Sequence, residues 1–161
     1  MVMVNVKSIV GRQIAMEQSN NAEMKNFLIK RIDALNEGDF LKKLTSDDLG
    51  ASNIRAMGNV ALNCDCYSEF RLFMEYKKAK LDGWRTTNKE GKSLADIVIE
   101  DLDHIAEKCK NDDNETLKWI SQYFGYFYWK KASLEQPKPK NNSFKNGGSK
   151  NNEFNKGGKR R

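Results

Sequence analysis

Long apolar runs, prolines upstream of residue 137 and any second histidine are missing from this 161-residue sequence. The apolar runs fall far short of the roughly 18 residues that a membrane span needs, so no membrane partner is expected. Residues 1–16 are moderately apolar, but Asn5, Lys7, Gly11 and Arg12 interrupt them. They lack the basic start, continuous apolar stretch and small-residue cleavage site of a signal peptide. A cytoplasmic address is therefore expected, with Cys64, Cys66 and Cys109 as thiols in a reducing compartment. The sequence has no glycine-rich phosphate loop, no paired nucleophile and base, and no metal-ligand array of recognisable spacing. His104 lies one helical turn from Asp101 without a companion nucleophile, which favours a boundary histidine bonded to Asp101 over a general base. Cys64, Cys66, His104 and Cys109 number four zinc ligands. Yet Cys-x-Cys is not the usual knuckle spacing, and Cys66 and Cys109 fall on apolar stripes. No catalysis, cofactor or metal is expected.

What the sequence does have is a charge imbalance confined to one end. The net charge is +6, yet residues 1–134 carry 20 basic and 20 acidic side chains, and residues 135–161 carry 8 against 2. Pro137 and Pro139 mark the boundary. Beyond them, Asn, Lys, Gly and Ser with two isolated phenylalanines cannot build a core, so 135–161 reads as a disordered basic tail. A ten-residue repeat runs through it, Asn142, Phe144, Gly147, Gly148 and Lys150 recurring as Asn152, Phe154, Gly157, Gly158 and Arg160. A flexible polycation with spaced rings has the chemistry of sequence-tolerant RNA binding, through Phe144, Phe154, Lys159, Arg160 and Arg161. The same composition also serves a solubilising extension.

Between residues 19 and 134 the apolar spacing is helical, and the expected fold is an all-α compact bundle of about five helices. The first spans 19–37, with Met24, Leu28, Ile32 and Leu35 on one face. The second spans 46–63, capped by Thr45 or Ser46, with Ile54, Met57 and Ala61 inward. The third, 65–82, turns Cys66, Phe70 and Phe73 inward and stops before Gly83. Ser93 caps a fourth with the stripe Leu94, Val98, Leu102, Ile105, Cys109. Asp113 or Asn114 opens a fifth, with Leu117, Ile120, Phe124 and Phe127 inward. Residues 1–18 form an arm, either a short strand through Val2, Val4 and Val6 or an extension whose order the sequence leaves open.

The outer faces differ in sign. Asp96, Glu100, Asp103 and Glu107 line the fourth helix and should repel phosphates, as a solvated surface or as a contact for a basic protein. The second helix is the opposite: no carboxylate occurs between Asp48 and Asp65, and Ser52, Arg55 and Asn59 share its outer side. Donors without an acid among them can follow a phosphodiester backbone. Arg71, Glu75, Lys78 and Asp82 alternate along the third helix as exposed ion pairs, while Lys77 and Lys80 project with Phe73 and Trp84. With Arg85, Lys89 and Lys92 these two make the densest basic cluster of the body. On the fifth helix Trp119, Tyr123, Tyr126 and Tyr128 widen the apolar arc, and Trp129 points away with Lys118 and Gln122. An aromatic ring beside cations stacks bases or marks a protein interface.

Ser52-Asn53-Ile54-Arg55, Phe70-Arg71-Leu72-Phe73-Met74-Glu75-Tyr76 and Phe127-Tyr128-Trp129-Lys130-Lys131 stand in an order and spacing that resemble the small helical subunit of type III CRISPR–Cas effector complexes, of the Csm type. The family has Gln where Asn53 stands and a histidine where Trp129 stands, and the likeness covers residues 40–132. The resemblance implies a non-catalytic subunit that packs beside copies of itself and other effector subunits. It also implies contact with the sugar-phosphate backbone of the guide RNA–target RNA duplex. Arg55 and Lys130 are the positions it supports directly. With the charge reading added, the expected RNA-binding residues are Ser52, Arg55, Asn59, Lys77, Lys80, Arg85, Lys130 and Lys131. The competing expectation is a helical protein-interaction adaptor with a non-specific nucleic-acid-binding tail.

Overall fold

A run of 30 residues with no proline and an apolar position every three or four residues makes the longest helix, α1 (Val6–Leu35), about 45 Å long at 1.5 Å per residue. The computed structural model describes residues 6–44 and 46–135; Val2, Val4, Thr45 as a cap, and the proposed tail beyond Glu135 lie outside the described residues. After α1 come a 3-10 turn at Glu37–Asp39, α2 (Phe40–Lys43), α3 (Ser46–Leu49), α4 (Ala51–Asn63), α5 (Tyr67–Lys80), α6 (Asp82–Arg85), α7 (Leu94–Lys108) and α8 (Asp113–Leu134). The fold is all-α. Among the described residues no strand forms, and Thr87 and Ser93 make one isolated antiparallel bridge. No described helix is long and apolar enough to cross a membrane.

The five expected helices are the five long ones, α1, α4, α5, α7 and α8. Met24, Leu28, Ile32 and Leu35 are buried as their spacing predicts, and so are all five residues of the α7 stripe. Ser93 caps α7, its Oγ accepting from the Asp96 backbone N–H at 3.2 Å. The cap of α8 is Asp112, one residue earlier than expected, accepting from the Glu115 N–H at 2.8 Å.

Four local expectations are corrected. Residues 6–18 are helical, and the strand reading fails at Val6, because α1 continues past the bundle with Ile9, Val10, Ile14 and Met16 exposed. The expected second helix is two, since Gly50 takes an extended conformation (φ −70°, ψ 151°) and serves as N-cap of α4. Cys66 is the N-cap of α5 and Phe73 is only half-buried. Gly83 does not stop a helix: α5 has already ended at Lys80, and Gly83 lies buried inside α6.

The corner after α1 is made locally. The Asn36 Oδ1 accepts from the N–H groups of Leu41 and Lys42, and Gly38 and Asp39 turn the chain with φ of 65° and 60°. Helix α8 lies at the centre. Arg31 of α1, Asp101 of α7 and Tyr123 of α8 meet beneath it: the guanidinium Nε is 2.6 Å and the phenol 2.8 Å from the Asp101 carboxylate. Phe70 packs edge-on to Phe124, and Trp84 edge-on to Phe127. α6 lies so close to α3 that a Cβ on Gly83 would stand 2.2 Å from the Asp48 carbonyl oxygen. Gly125, by contrast, has open space around it. Gly83→Ala should therefore lower stability by about 1–3 kcal/mol through overpacking, and Gly125→Ala should be neutral or raise it by up to about 1 kcal/mol through helix propensity. Urea unfolding of the two variants compares them directly.

Candidate nucleic-acid interface on α4 and α8

Helix α4 turns Ile54, Met57, Gly58 and Ala61 inward. At Gly58 a Cβ would stand 3.2 Å from the Ser121 carbonyl, so the two helix backbones approach closely there. This leaves Ser52, Arg55 and Asn59 exposed on the outer side of α4. The Arg55 guanidinium lies 5.5 Å from the centre of the Tyr128 ring, so an α8 aromatic helps to hold it in place. Arg55 has no carboxylate partner among the described residues.

The outward line of α8 reads Lys118, Gln122, Gly125, Trp129 and Ala132. No Asp or Glu occurs between Glu115 and Glu135. The acid-free span of α4 and the acid-free span of α8 thus pack side by side as one surface. The sequence reading found the first span and missed the second, although the same signal, a gap in the carboxylates, was present in both. At the far edge of α8, Lys130 pairs with Asp33 of α1 at 2.9 Å. Trp129 is 65% exposed, its ring 5.6 Å from that of Tyr126.

The remaining expected RNA-binding residues separate. On α5, Lys77 is half-buried with its ammonium 5.2 Å from the Phe73 ring centre, and Lys80 is exposed. Neither meets a carboxylate among the described residues. Arg85 is paired with Asp82 within α6. Lys131 is a correction: only 2% exposed, it donates to the Leu44 carbonyl at 2.7 Å and lies 3.7 Å from the Glu135 carboxylate. A buried ammonium held by a backbone carbonyl cannot reach a phosphate. Phe144, Phe154, Lys159, Arg160 and Arg161 lie outside the described residues.

The opposite face is neutralised from within. Arg71 bridges Asp103 at 3.3 Å and Glu75 at 2.9 Å, Lys78 holds Asp96 at 2.7 Å, and Lys92 pairs with Glu100. Most of the pairing expected to run along the third helix instead crosses from α5 to α7, and only Arg71 with Glu75 keeps to α5. The cleft between α5 and α7 that these pairs line offers phosphate neither unpaired cations nor net positive charge. Tyr67 also donates to Asp103, and burial followed by that hydrogen bond raises its phenol above the ordinary range. Asp103 beside Arg71 raises the guanidinium still further.

The other candidates resolve similarly. Asp101 receives Arg31 and Tyr123, and His104 stands exposed outside that group. Cys64 is half-buried at the end of α4 and Cys109 buried at the end of α7; burial raises both thiols. Among the described residues no three His, Cys, Asp or Glu side chains are placed to hold a metal ion.

Two aspartates on α7 should titrate in opposite directions. Hydrogen bonds from Lys78 and Ser93 hold Asp96 below the ordinary 3.8, whereas burial lifts Asp101 above it against the pull of Tyr123 and Arg31. Asp96 then contributes stability above the ordinary carboxylate value that is lost as pH falls through its lower folded value. For Asp101 the linkage is reversed: its contribution is greatest below the ordinary value and declines as pH rises through the raised one. Carbon-13 NMR of the side-chain carboxyls should show the two midpoints on either side of 3.8.

Compared with known proteins, the chain matches no protein-family model, no curated protein and no solved structure, so its own side chains carry the functional reading.

Proposed function

We propose that this chain is a non-catalytic RNA-binding subunit of an RNA-guided type III CRISPR interference complex, touching the guide–target duplex through its backbone without reading sequence. The observation that carries the reading is the surface shared by α4 and α8, two packed helices free of carboxylates over 49–64 and 116–134, with Arg55 exposed on it. Phosphate contacts position a protein on a duplex, and they need donors without competing acids. Ser52, Arg55 and Asn59 supply such donors along one side of α4, and Lys77 and Lys80 are two cations of α5 that meet no carboxylate among the described residues. The resemblance in the sequence adds the assembly: guide and target RNA as partners, with other effector subunits and further copies of the chain as neighbours.

The pairing on α7 supports the same division of faces. Asp96, Glu100 and Asp103 are matched to Lys78, Lys92 and Arg71, and Glu107 stands exposed without an ion pair among the described residues, so that side offers phosphate no free cation from these pairs. The second reading, a protein-interaction adaptor, is favoured by one feature: Ile9, Val10, Ile14 and Met16 are 43–65% exposed on the projecting part of α1. Exposed apolar residues gathered on one element mark interaction sites.

Arg55→Ala, Lys77→Ala and Lys80→Ala combined should weaken association with RNA duplexes of unrelated sequence to a similar degree. The slope of log K against log salt should flatten by about one for each phosphate that the variant no longer neutralises. Unchanged binding and slope, with the helical circular dichroism intact, would remove the body from RNA contact. If the adaptor reading holds instead, a 1–134 truncation should lose all RNA binding, whereas the subunit reading predicts that it still binds an RNA duplex.

A further inference from the structure

Between α1 and α8 a cleft of about 320 Å³ opens beside Trp129, and its lining is almost wholly apolar. Ile29 and Ile32 form the α1 wall, Tyr126 and Trp129 the α8 wall, and the Lys130–Asp33 pair stands at the rim. Trp129 differs from the other two tryptophans, since Trp84 is 0% and Trp119 8% exposed against its 65%. Ile29 beside it is 43% exposed. A large aromatic ring kept in water at the mouth of an apolar cleft, tilted against a second ring, provides a flat face on which another flat ring can lie.

We propose that this cleft takes an unpaired nucleobase of RNA, stacked on Trp129 between α1 and α8. The proposal rests on the nucleic-acid reading of the α4–α8 surface and adds a single-strand site to it. Charge complementarity selects this occupant. Along α8 the approach passes exposed Lys118 and half-buried Gln122 and Gly125 with no carboxylate, so a polyanionic strand meets only neutral or positive side chains on that stretch of the helix. The one acid at the cleft, Asp33, is paired with Lys130, so the rim carries no net negative charge to repel a strand. Stacking on an aromatic face tolerates every base, because each has a π surface, and the affinity it adds is independent of hydrogen-bond readout. The site therefore favours unpaired over duplex RNA while staying indifferent to sequence.

Trp129 also reports on itself, being the exposed tryptophan among three. The test uses the full chain with three probes: a 12-nucleotide single-stranded RNA, an abasic sugar-phosphate oligomer of equal phosphate number, and an RNA duplex. The single strand should quench the exposed-tryptophan emission, and the abasic oligomer should not. Trp129→Ala should weaken single-strand binding by roughly tenfold, Trp129→Phe should restore most of it, and duplex binding should change much less than single-strand binding in both. Equal binding of the abasic oligomer, or unchanged single-strand affinity in Trp129→Ala, overturns the base site. If the duplex still binds in those cases, the backbone reading survives; if neither RNA binds, both readings fail. A concentration-dependent blue shift of the emission without RNA assigns the cleft to a protein side chain instead and also overturns the proposal.

Discussion

The carboxylate of Asp101 is the point at which α1, α7 and α8 are joined, and the positions of both candidate surfaces follow from that junction. It is 1% exposed and takes the Arg31 guanidinium and the Tyr123 hydroxyl, each from a different helix. Such a group is costly to bury alone, so it needs the donors that Arg31 and Tyr123 bring to it. Its role is thus to select one relative placement of three helices. With α8 fixed against α1 and α7 on this side, Phe124 and Phe127 face Phe70 and Trp84, and Gly58 brings α4 against the remaining flank. Beyond its acidic first turn, what α8 leaves toward water is chiefly the line from Lys118 to Ala132.

The molecule then separates its charges by pairing. On α7, Asp96 and Asp103 are matched by cations from α5 and Glu100 by Lys92, while α4 and the span 116–134 of α8 carry no carboxylate to match. Exposed ion pairs of this kind add little to stability, about 0–1 kcal/mol each. Their consequence lies in the surface they leave: one side with its cations held by carboxylates, the other with donors still free to bind. A neutral body can in this way present a side suited to phosphate.

Much of this was legible in the sequence, for identifiable reasons. Leu94, Val98, Leu102, Ile105 and Cys109 repeat at the helical interval, and Ser93 sits where a cap belongs, so α7 could be read outright. Arg55 stood out because its neighbours in sequence carry no charge, a local property that folding does not alter. Gly83 was misread because its role depends on α3, which is distant in sequence, and the packing of Trp84 on Phe127 depends likewise on α8. Lys131 was misread as a partner of Lys130, although it stands four residues past Phe127 and seven past Phe124 on the inward line of α8. Its type suggested surface, and its position indicated core. The start of α1 was obscured because residues 7–23 bury nothing in the chain itself, so the usual contrast of inner and outer faces gave no boundary.

The central claim is that one side of the body, formed by α4 and its neighbours, faces RNA and the α7 side does not. Photo-cross-linking of the full chain to an RNA duplex, mapped by mass spectrometry, tests it most directly. The account predicts cross-linked peptides from α4 around Arg55 and from α5 around Lys77, and none from α7 between Asp96 and Glu107. Cross-links confined to residues 136–161, or found along α7, would contradict it.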